Sequence, residues 1–389
     1  MKNILVLCSR LPYPLVGGDK IRMFNNIKAL SKKYSVDLLY ISSEGWKNES
    51  IVDLQKYCKN IYPFHFPEYR SKINTLKGLL TNSKPLQVNY YYFKEVQKWI
   101  DENKDRYDMF FCNHIRTTEY VKNIERVKIV DFVDSIAMNY TKAVKRTTSL
   151  KWKMIYAFEQ KRVLKYEIEM SKLFEKKIII SDVDKEYIIE NGGNSDIETI
   201  SNFVNLNYDK KEIEEEEIIS FLGKMNYEPN ISAVKFFSES VFPKIREAYK
   251  ELKFYIVGAY PPAVVEKIGE EPGIVVTGFV NDPYEYLLKS KLFVAPMVSG
   301  AGVQNKILEA MMLGKCVITT KIGAEGLEGV TENEIIIADS AEEMSRKIIE
   351  LLKPENSLKV KEIGENAKKY IEKNLSEDVI AEKVLKYID

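Results

Sequence analysis

The sequence predicts two doubly wound α/β domains in tandem. Three observations carry this. Short uninterrupted apolar runs recur along the chain, the pattern of strands buried on both faces of a parallel sheet. Helical stretches separate them. The whole series then starts again after an acidic segment, in a chain whose 389 residues already favour two domains.

The first run is NILVLC, Asn3 to Cys8. A loop with two prolines and the pair Gly17-Gly18 follows, and then a helical pattern with Ile21, Phe24, Ile27, Ala29 and Leu30 near one face. A second strand, VDLLYIS, starts at Val36. Strand, glycine loop, helix and strand make the opening unit of a doubly wound domain. Further strands are expected at Met109–Cys112, Lys128–Phe132 and Lys177–Ile180, with a long helix from about Leu150 to Phe174. Asn202 to Asn205 is loop-like, and Glu212 to Glu217, almost all acidic, is read as a solvated run between two packed units. The second series is IISFLG from Ile218, a helix near Ile231–Tyr249, FYIVGA from Phe254, GIVVTGF from Gly273, LFVAP from Leu292, KCVITT from Lys315 and EIIIA from Glu334. These readings place one domain at 1–205 and another at 206–376. A last helix, Glu377 to Ile388, comes after the second domain is complete and is expected to pack back on the first.

Composition narrows the function. Lysine and arginine exceed aspartate and glutamate by one, which gives no reason to expect nucleic acid. The halves differ: residues 1–210 carry 35 basic against 26 acidic side chains, net +9, and the remainder carries 23 against 31, net −8. Four scattered cysteines and two histidines offer no zinc-type spacing. No apolar run approaches the ~18 residues of a membrane span, and the N-terminus has no signal-peptide pattern. A reducing cytoplasm with free thiols is the expected setting.

The segment from Pro296 to Gly314, PMVSGAGVQNKILEAMMLG, carries the most chemistry. A strand runs into a glycine loop containing Gly300 and Gly302 and then into a helix. Helix N-termini expose amide N–H groups and partial positive charge, which suits a diphosphate. Lys306 lies one turn into that helix. Glu309, three residues further, shares roughly its face and suits ribose hydroxyls rather than phosphate. A plain strand–helix turn with a surface Lys/Glu pair explains the same spacing.

This segment, together with GAEGL at Gly323–Leu327, resembles the C-terminal signature of the family 4 retaining glycosyltransferases, a large bacterial group with the GT-B fold of two Rossmann-like domains facing across a cleft. The resemblance is to a sub-group with a GxGxxxKILEAM signature. It extends through RLPYPLVGGDKIR (Arg10–Arg22), VDFVDSIAMNY (Val130–Tyr140), FEQKRVLKYE (Phe158–Glu167) and FLGKMNYEPN (Phe221–Asn230), in the family's order over nearly the whole chain. It implies transfer of a sugar from a nucleoside diphosphate sugar to an acceptor hydroxyl, with retention and without metal. It implies that Gly17 and Gly18 set amides against the diphosphate and that Gly223 and Lys224 bind phosphate at the first strand of the second domain. Lys306 would be the second cation. Phe279 and Val280 would present the backbone edge that reads the base. Gly302, Val303 and Gln304 would cradle phosphates and Glu309 would hold the ribose. Two positions depart from the family pattern: Ala301 stands where many members have a glutamate, and Gln304 where the sub-group has arginine.

Several residues stay open between roles. His114 follows the FFCN strand, and strand C-termini face the cleft of an α/β sheet; in the family a histidine near this position contacts the donor sugar. Asp134 orients sugar or acceptor, or caps a helix. Arg22 meets an acceptor phosphate or sits on a solvated face. His65, in YPFHFPEY, reads as a loop residue. Asp182-Val183-Asp184 imitates a metal-binding DxD but reads as a helix start, where acids favour the dipole. Between Tyr140 and Phe158 five basic residues and no acidic one mix with Tyr140, Trp152 and Tyr156. That mixture suits an anionic membrane surface or a lipid-linked acceptor, or else a solvated helix face. The expected enzyme is a hexosyltransferase-type, metal-independent glycosyltransferase in bacterial surface polysaccharide or glycolipid synthesis, cytoplasmic and peripheral on the inner face of the membrane. The rivals are a GT-B sugar-nucleotide epimerase and a non-catalytic nucleotide-sugar-binding partner.

Overall fold

The computed structural model describes residues 1–15, 18–43, 52–147, 149–204, 208, 213–299, 304–327 and 329–389. These form two compact units: Met1–Asn202 with Asp378–Asp389, and Phe203–Glu377.

The first unit is built on seven strands, β1 (Asn3–Cys8), β2 (Ser35–Ser42), β3 (Asn60–His65), β4 (Met109–Asn113), β5 (Val127–Asp131), β6 (Lys176–Ile179) and β7 (Glu198–Thr199). They are all parallel, in the order β3-β2-β1-β4-β5-β6-β7. β1 lies in the middle with Val6 level with Leu38 on one side and Phe111 on the other. Helices cover both faces, so β1 and β4 bury almost every residue, as their unbroken apolar runs require. Leu5, Leu7, Leu39, Phe110, Val130 and Phe132 form the centre of the core.

Two strands escape the sequence pattern, the two-residue β7 at one sheet edge and β3 at the other. β3 ends at His65, so that residue closes a strand rather than sitting in a loop. Pro63 interrupts the run that would have announced it, and a proline is tolerated because β3 is the sheet edge.

The C-terminal helix, Glu377–Ile388, buries Ile380, Val384 and Ile388. Its end is pinned within the first unit: Lys176 Nζ donates to the Tyr387 carbonyl at 2.6 Å, Tyr387 Oη donates to the Asp196 carbonyl at 3.0 Å, and Tyr34 Oη donates to Asp389 at 2.6 Å.

The second unit holds β8 (Glu216–Leu222), β9 (Lys253–Val257), β10 (Ile274–Gly278), β11 (Ser290–Ala295), β12 (Val317–Thr319) and β13 (Ile336–Ile337). All are parallel, in the order β10-β9-β8-β11-β12-β13. The acidic run is only in part a linker. Glu216 and Glu217 begin β8, where Lys289 and Lys291 pair with them, and Glu215 pairs with Lys315 at 2.7 Å. The helix expected near Ile231–Tyr249 is broken into Glu228–Phe236, a π turn over Phe237–Val241, and Phe242–Ala248. Pro243 explains the break: it has no N–H for the preceding turn, and the chain widens by one residue to pass it.

Helix Ser357–Asn374 crosses the turn after helix Asn305–Met312 at very short range. A Cβ placed on Gly364 would lie 2.1 Å from the Gly314 carbonyl oxygen. Alanine ordinarily stabilises a helix interior by about 1 kcal/mol over glycine. Here the sign should reverse: Gly364→Ala is expected to destabilise by about 1–3 kcal/mol, read as a lower urea midpoint. An unchanged or raised midpoint would contradict the close crossing.

Each sheet reverses its strand order once, between β1 and β4 and between β8 and β11. In doubly wound folds ligands bind beyond the carboxyl ends of the strands at such switch points. No described helix is long and apolar enough to cross a membrane.

Candidate functional site

In the second unit the switch point is framed by the exits of β8 and β11. β8 ends at Leu222 and passes into Gly223-Lys224, with Gly223 N donating to the Val257 carbonyl at 3.0 Å. The turn is crowded. Gly258 has a φ of +156°, and a Cβ on it would lie 1.8 Å from the Gly223 carbonyl oxygen. A Cβ on Gly223 would in turn meet the Asn230 amide at 2.5 Å. Only glycines let these two exits touch. The Lys224 side chain is exposed.

β11 leads through Pro296 to Ser299 toward helix Asn305–Met312. Gly300, Ala301, Gly302 and Val303, with Gly17 of the first unit, lie outside the described residues. The flanks of that loop are fixed from the next strand. Thr319 Oγ1 donates to the Ala295 carbonyl at 2.7 Å and Thr320 Oγ1 to the Met297 carbonyl at 2.6 Å. Gln304 stands at the N-cap position, and its carbonyl accepts from Ile307 N at 2.8 Å.

Helix Asn305–Met312 buries Ile307, Leu308, Ala310 and Met311, which turns Lys306 and Glu309 to its other side. Lys306 folds against the end of β8. Its Nζ donates to Asn230 Oδ1, lies 3.6 Å from the Met297 sulfur and sits 4.9 Å from the centre of the Phe221 ring. Asn230 in turn donates through Nδ2 to the Lys224 carbonyl at 2.8 Å. One buried asparagine therefore ties the two candidate cation positions together. Dehydration pushes the Lys306 ammonium down to about 7, against the opposing charge of Glu309. Burial pushes Glu309 up to about 7, against the pull of Lys306. The Glu309 carboxylate has no hydrogen-bond partner among the described residues, and burial and its charge raise the Tyr284 phenol. Phe279, 76% exposed, follows Gly278 at the exit of β10, with Val280 half-buried beside it.

In the first unit the exits of β1, β4 and β5 converge. His114 follows β4 with a φ of +67°, and Val133 follows β5 with +66°. Side chains other than glycine, and valine above all, rarely adopt such values, and strained backbone of this kind gathers at functional sites. His114 N donates to the Asp131 carbonyl at 2.7 Å. The imidazole is buried, its Nδ1 has no partner among the described residues, and its Nε2 lies 4.0 Å from Asp134 Oδ1. Burial, then Arg116 and Arg10, hold His114 well below the ordinary histidine value, so it is neutral near pH 7. Burial and then Asp184 push Asp134 up to about 6. Asp134 is not the helix cap: Ser135 caps helix Ile136–Arg146 by accepting from Met138 N, while Asp134 Oδ2 accepts from Asn139 at 2.9 Å. Gly18 opens helix Gly18–Ser31 at the neighbouring exit of β1.

Arg22 neither faces solvent nor offers itself to a phosphate; it is buried in an ion pair with Asp131 at 2.7 Å. Asp184 is buried, accepts from Ser135 N at 2.9 Å and contacts Ser181, which caps the helix. Sequence reasoning missed three contributors. Asn230 lies within the FLGKMNYEPN resemblance, but nothing in its spacing shows that it reaches Lys306. Tyr284 is brought near Glu309 by the fold alone, whereas Arg116, two residues after His114, is legible as its neighbour.

Residues 216–354 match the family model Glycosyl transferases group 1. The match lies within the second unit, and the Gly223–Lys224 turn, Lys306 and Glu309 all fall inside the matched residues. Over its whole length the chain is 26% identical to a Klebsiella pneumoniae protein named as an uncharacterized 44.6 kDa protein in the cps region, covering 99% of this chain and all of that one. Among solved structures it resembles Staphylococcus aureus TarM, solved with fondaparinux, α-GlcNAc-glycerol and UDP, at 16% identity and a TM-score of 0.67 over the full length of both chains. It also resembles Anabaena HepE in complex with UDP and glucose, at 14% identity and 0.64, over 99% of each chain. A sucrose-phosphate synthase from Thermosynechococcus elongatus matches at 12% and 0.69, over 99% of this chain and 98% of that one. The two parallel sheets are those of the GT-B fold.

Proposed function

We propose that the protein is a retaining, family 4 type glycosyltransferase that moves a hexose from a nucleoside diphosphate sugar to a hydroxyl of a saccharide or lipid-linked acceptor. The observation that carries the proposal is the position of Lys306 and Glu309. Both project from the helix that follows the β11 exit, at the switch point of a group 1 domain, with Lys306 tied through Asn230 to the Gly223–Lys224 turn. A nucleoside diphosphate matches this arrangement: two cations and helix amides for the phosphates, and a carboxylate for the ribose. UDP in the TarM and HepE structures supports the same ligand class. The cps-region name of the Klebsiella relative supports a place in polysaccharide synthesis.

The burden of the reaction is the charge that develops on the leaving diphosphate. Fixed N–H groups, Lys224 and Lys306 would meet it without reorganising and without a metal. His114, neutral with a free ring nitrogen at a strand exit, would hydrogen-bond the donor sugar. Asp134 would orient a hydroxyl. No side chain is assigned as a covalent nucleophile, and the leaving phosphate would take the acceptor proton on the same face, giving retention.

A thermal-shift screen of UDP-, GDP- and dTDP-sugars tests this. One donor at a hundred times its dissociation constant should add about 2.7 kcal/mol of stability. The same donor should then be hydrolysed slowly without acceptor, releasing a sugar of unchanged anomeric configuration by NMR. Stabilisation with no turnover would favour the non-catalytic reading; no stabilisation by any of them would end the proposal.

A further inference from the structure

Helix Glu68–Thr81 in the first unit is built inside out. The face turned to the protein is small and polar: Ser71 and Gly78 are buried, Asn74 donates to the Tyr92 carbonyl at 2.8 Å, and a Cβ on Gly78 would collide with Asn89. The face turned to solvent is apolar. Tyr69, Ile73, Leu76 and Leu80 are 61%, 45%, 60% and 79% exposed. Their spacing of four, three and four residues puts them in one narrow stripe along the helix. Stability alone would not choose this order, since leucine gains by burial and serine and glycine do not.

The stripe does not stand alone. Just past the end of this helix, Arg162 Nη2 donates to the carbonyls of Asn82 and Lys84, and Leu86 N donates to Glu159 at 2.7 Å. Arg162 and Glu159 belong to helix Leu150–Leu173, whose Phe158 lies under the Arg162 guanidinium at 5.0 Å. Back along that helix Leu150, Met154 and Phe158, at intervals of four, are 73%, 66% and 51% exposed. Trp152 stacks on Tyr156 with ring centres 5.8 Å apart. Cations border both stripes: Lys72 and Lys77 on the first helix, Lys151, Lys153 and Lys161 on the second. Acids are nearly missing. The first helix has only Glu68, paired with Lys72, and residues 150–162 have only Glu159, which is buried.

We propose that these two helix faces form a docking surface for an anionic lipid bilayer, with the apolar side chains entering the headgroup–acyl boundary and the lysines meeting lipid phosphates. Apolar stripes edged by lysines are the pattern of helices that lie in a membrane interface, with the lysine stems sharing the apolar burial. A second copy of this chain is a poor occupant, because it would set lysines against lysines. The sequence pattern pointed to 140–158 alone; the larger part of the surface is the inverted helix. Lipid binding requires no nucleotide, so it stands or falls separately from the proposed transfer reaction.

The test is flotation of the full chain with vesicles of phosphatidylcholine alone and with about 30% phosphatidylglycerol added. Binding is expected to the anionic vesicles, weakening as salt rises. Leu76→Glu/Leu80→Glu, at exposed positions, should leave the melting temperature unchanged and lower binding at least about tenfold. Leu358→Glu, at a leucine equally exposed but in the second unit, should bind as the parent does. Equal binding by the double variant, no binding to anionic vesicles, or a dimer in sedimentation that the double variant abolishes would each overturn the assignment.

Discussion

Lys306→Met is expected to weaken nucleoside diphosphate binding about 30- to 100-fold, the cost of losing one charge-assisted contact in a dehydrated site. Methionine keeps the length and the apolar stem, so packing against Phe221 and Met297 survives. The melting temperature without ligand should hardly move, because the variant no longer buries an ammonium. The pH dependence is the sharper reading. With Lys306 near 7, much of it is neutral at pH 8 in the free protein. A diphosphate favours the ammonium, so binding raises its pKa and takes up a proton. The favourable contribution is complete below about 7 and is lost as pH rises through the higher value of the complex, up to tenfold per pH unit. Glu309 ionises from about the same value, and it would release a proton on accepting ribose hydroxyls. Glu309→Gln separates the two. In that variant Lys306 loses the charge that raises it, and proton uptake should begin at lower pH. Titration calorimetry in buffers of different ionisation enthalpy measures this directly. Unchanged affinity in Lys306→Met, or no uptake at pH 8 in Glu309→Gln, would remove Lys306 from the phosphate site.

What the sequence discloses and what it hides divide along physical lines. Strands buried on both faces announce themselves, because NILVLC or LFVAP has no other stable use in water. The edge does not: β3 carries Pro63 and half-buried residues, and only its neighbour β2 makes it a strand. Lys306 and Glu309 are legible because helix periodicity fixes their relation locally. Asn230 is not, since its contact with Lys306 spans 76 residues and depends on the Gly223–Gly258 crossing. Charge misleads in a different way. Arg22 follows a glycine pair in a helix that looks amphipathic, and nothing local distinguishes an arginine offered to a ligand from one consumed by a buried aspartate 109 residues away. Likewise, Tyr69, Ile73, Leu76 and Leu80 have the spacing of an ordinary core helix. Only the burial of Ser71 and Gly78 on the opposite side shows that the stripe faces outward.

Breaking the Arg22–Asp131 pair from one side should produce a large loss of stability in the first unit. Asp131, with its side chain fully buried, accepts from Arg22 Nε at 2.7 Å, Arg22 Nη2 at 3.0 Å, Asn26 Nδ2 at 2.9 Å and Val133 N at 3.0 Å. Arg22 spends its remaining nitrogen on the Ile200 carbonyl at 2.7 Å. Arg22→Ala leaves a carboxylate out of water with two neutral donors. Breaking such a pair from one side costs about 3–5 kcal/mol. For a unit of this size each kcal/mol lowers the melting temperature about 2–4 °C, so the transition should fall by roughly 6–20 °C. Asp131→Asn should also destabilise, by leaving Arg22 unpaired, and the double variant should lose less than the sum of the two. A full sum would mean the groups do not act as a pair. Asp131 also organises the site: its carboxylate holds the strained Val133, and its carbonyl receives the N–H of His114. If the proposed function holds, variants at this pair that still fold should transfer sugar more slowly while binding donor diphosphate normally, because the cations proposed for the phosphates belong to the other unit. A parallel loss of diphosphate affinity would show that Asp131 does not act through His114.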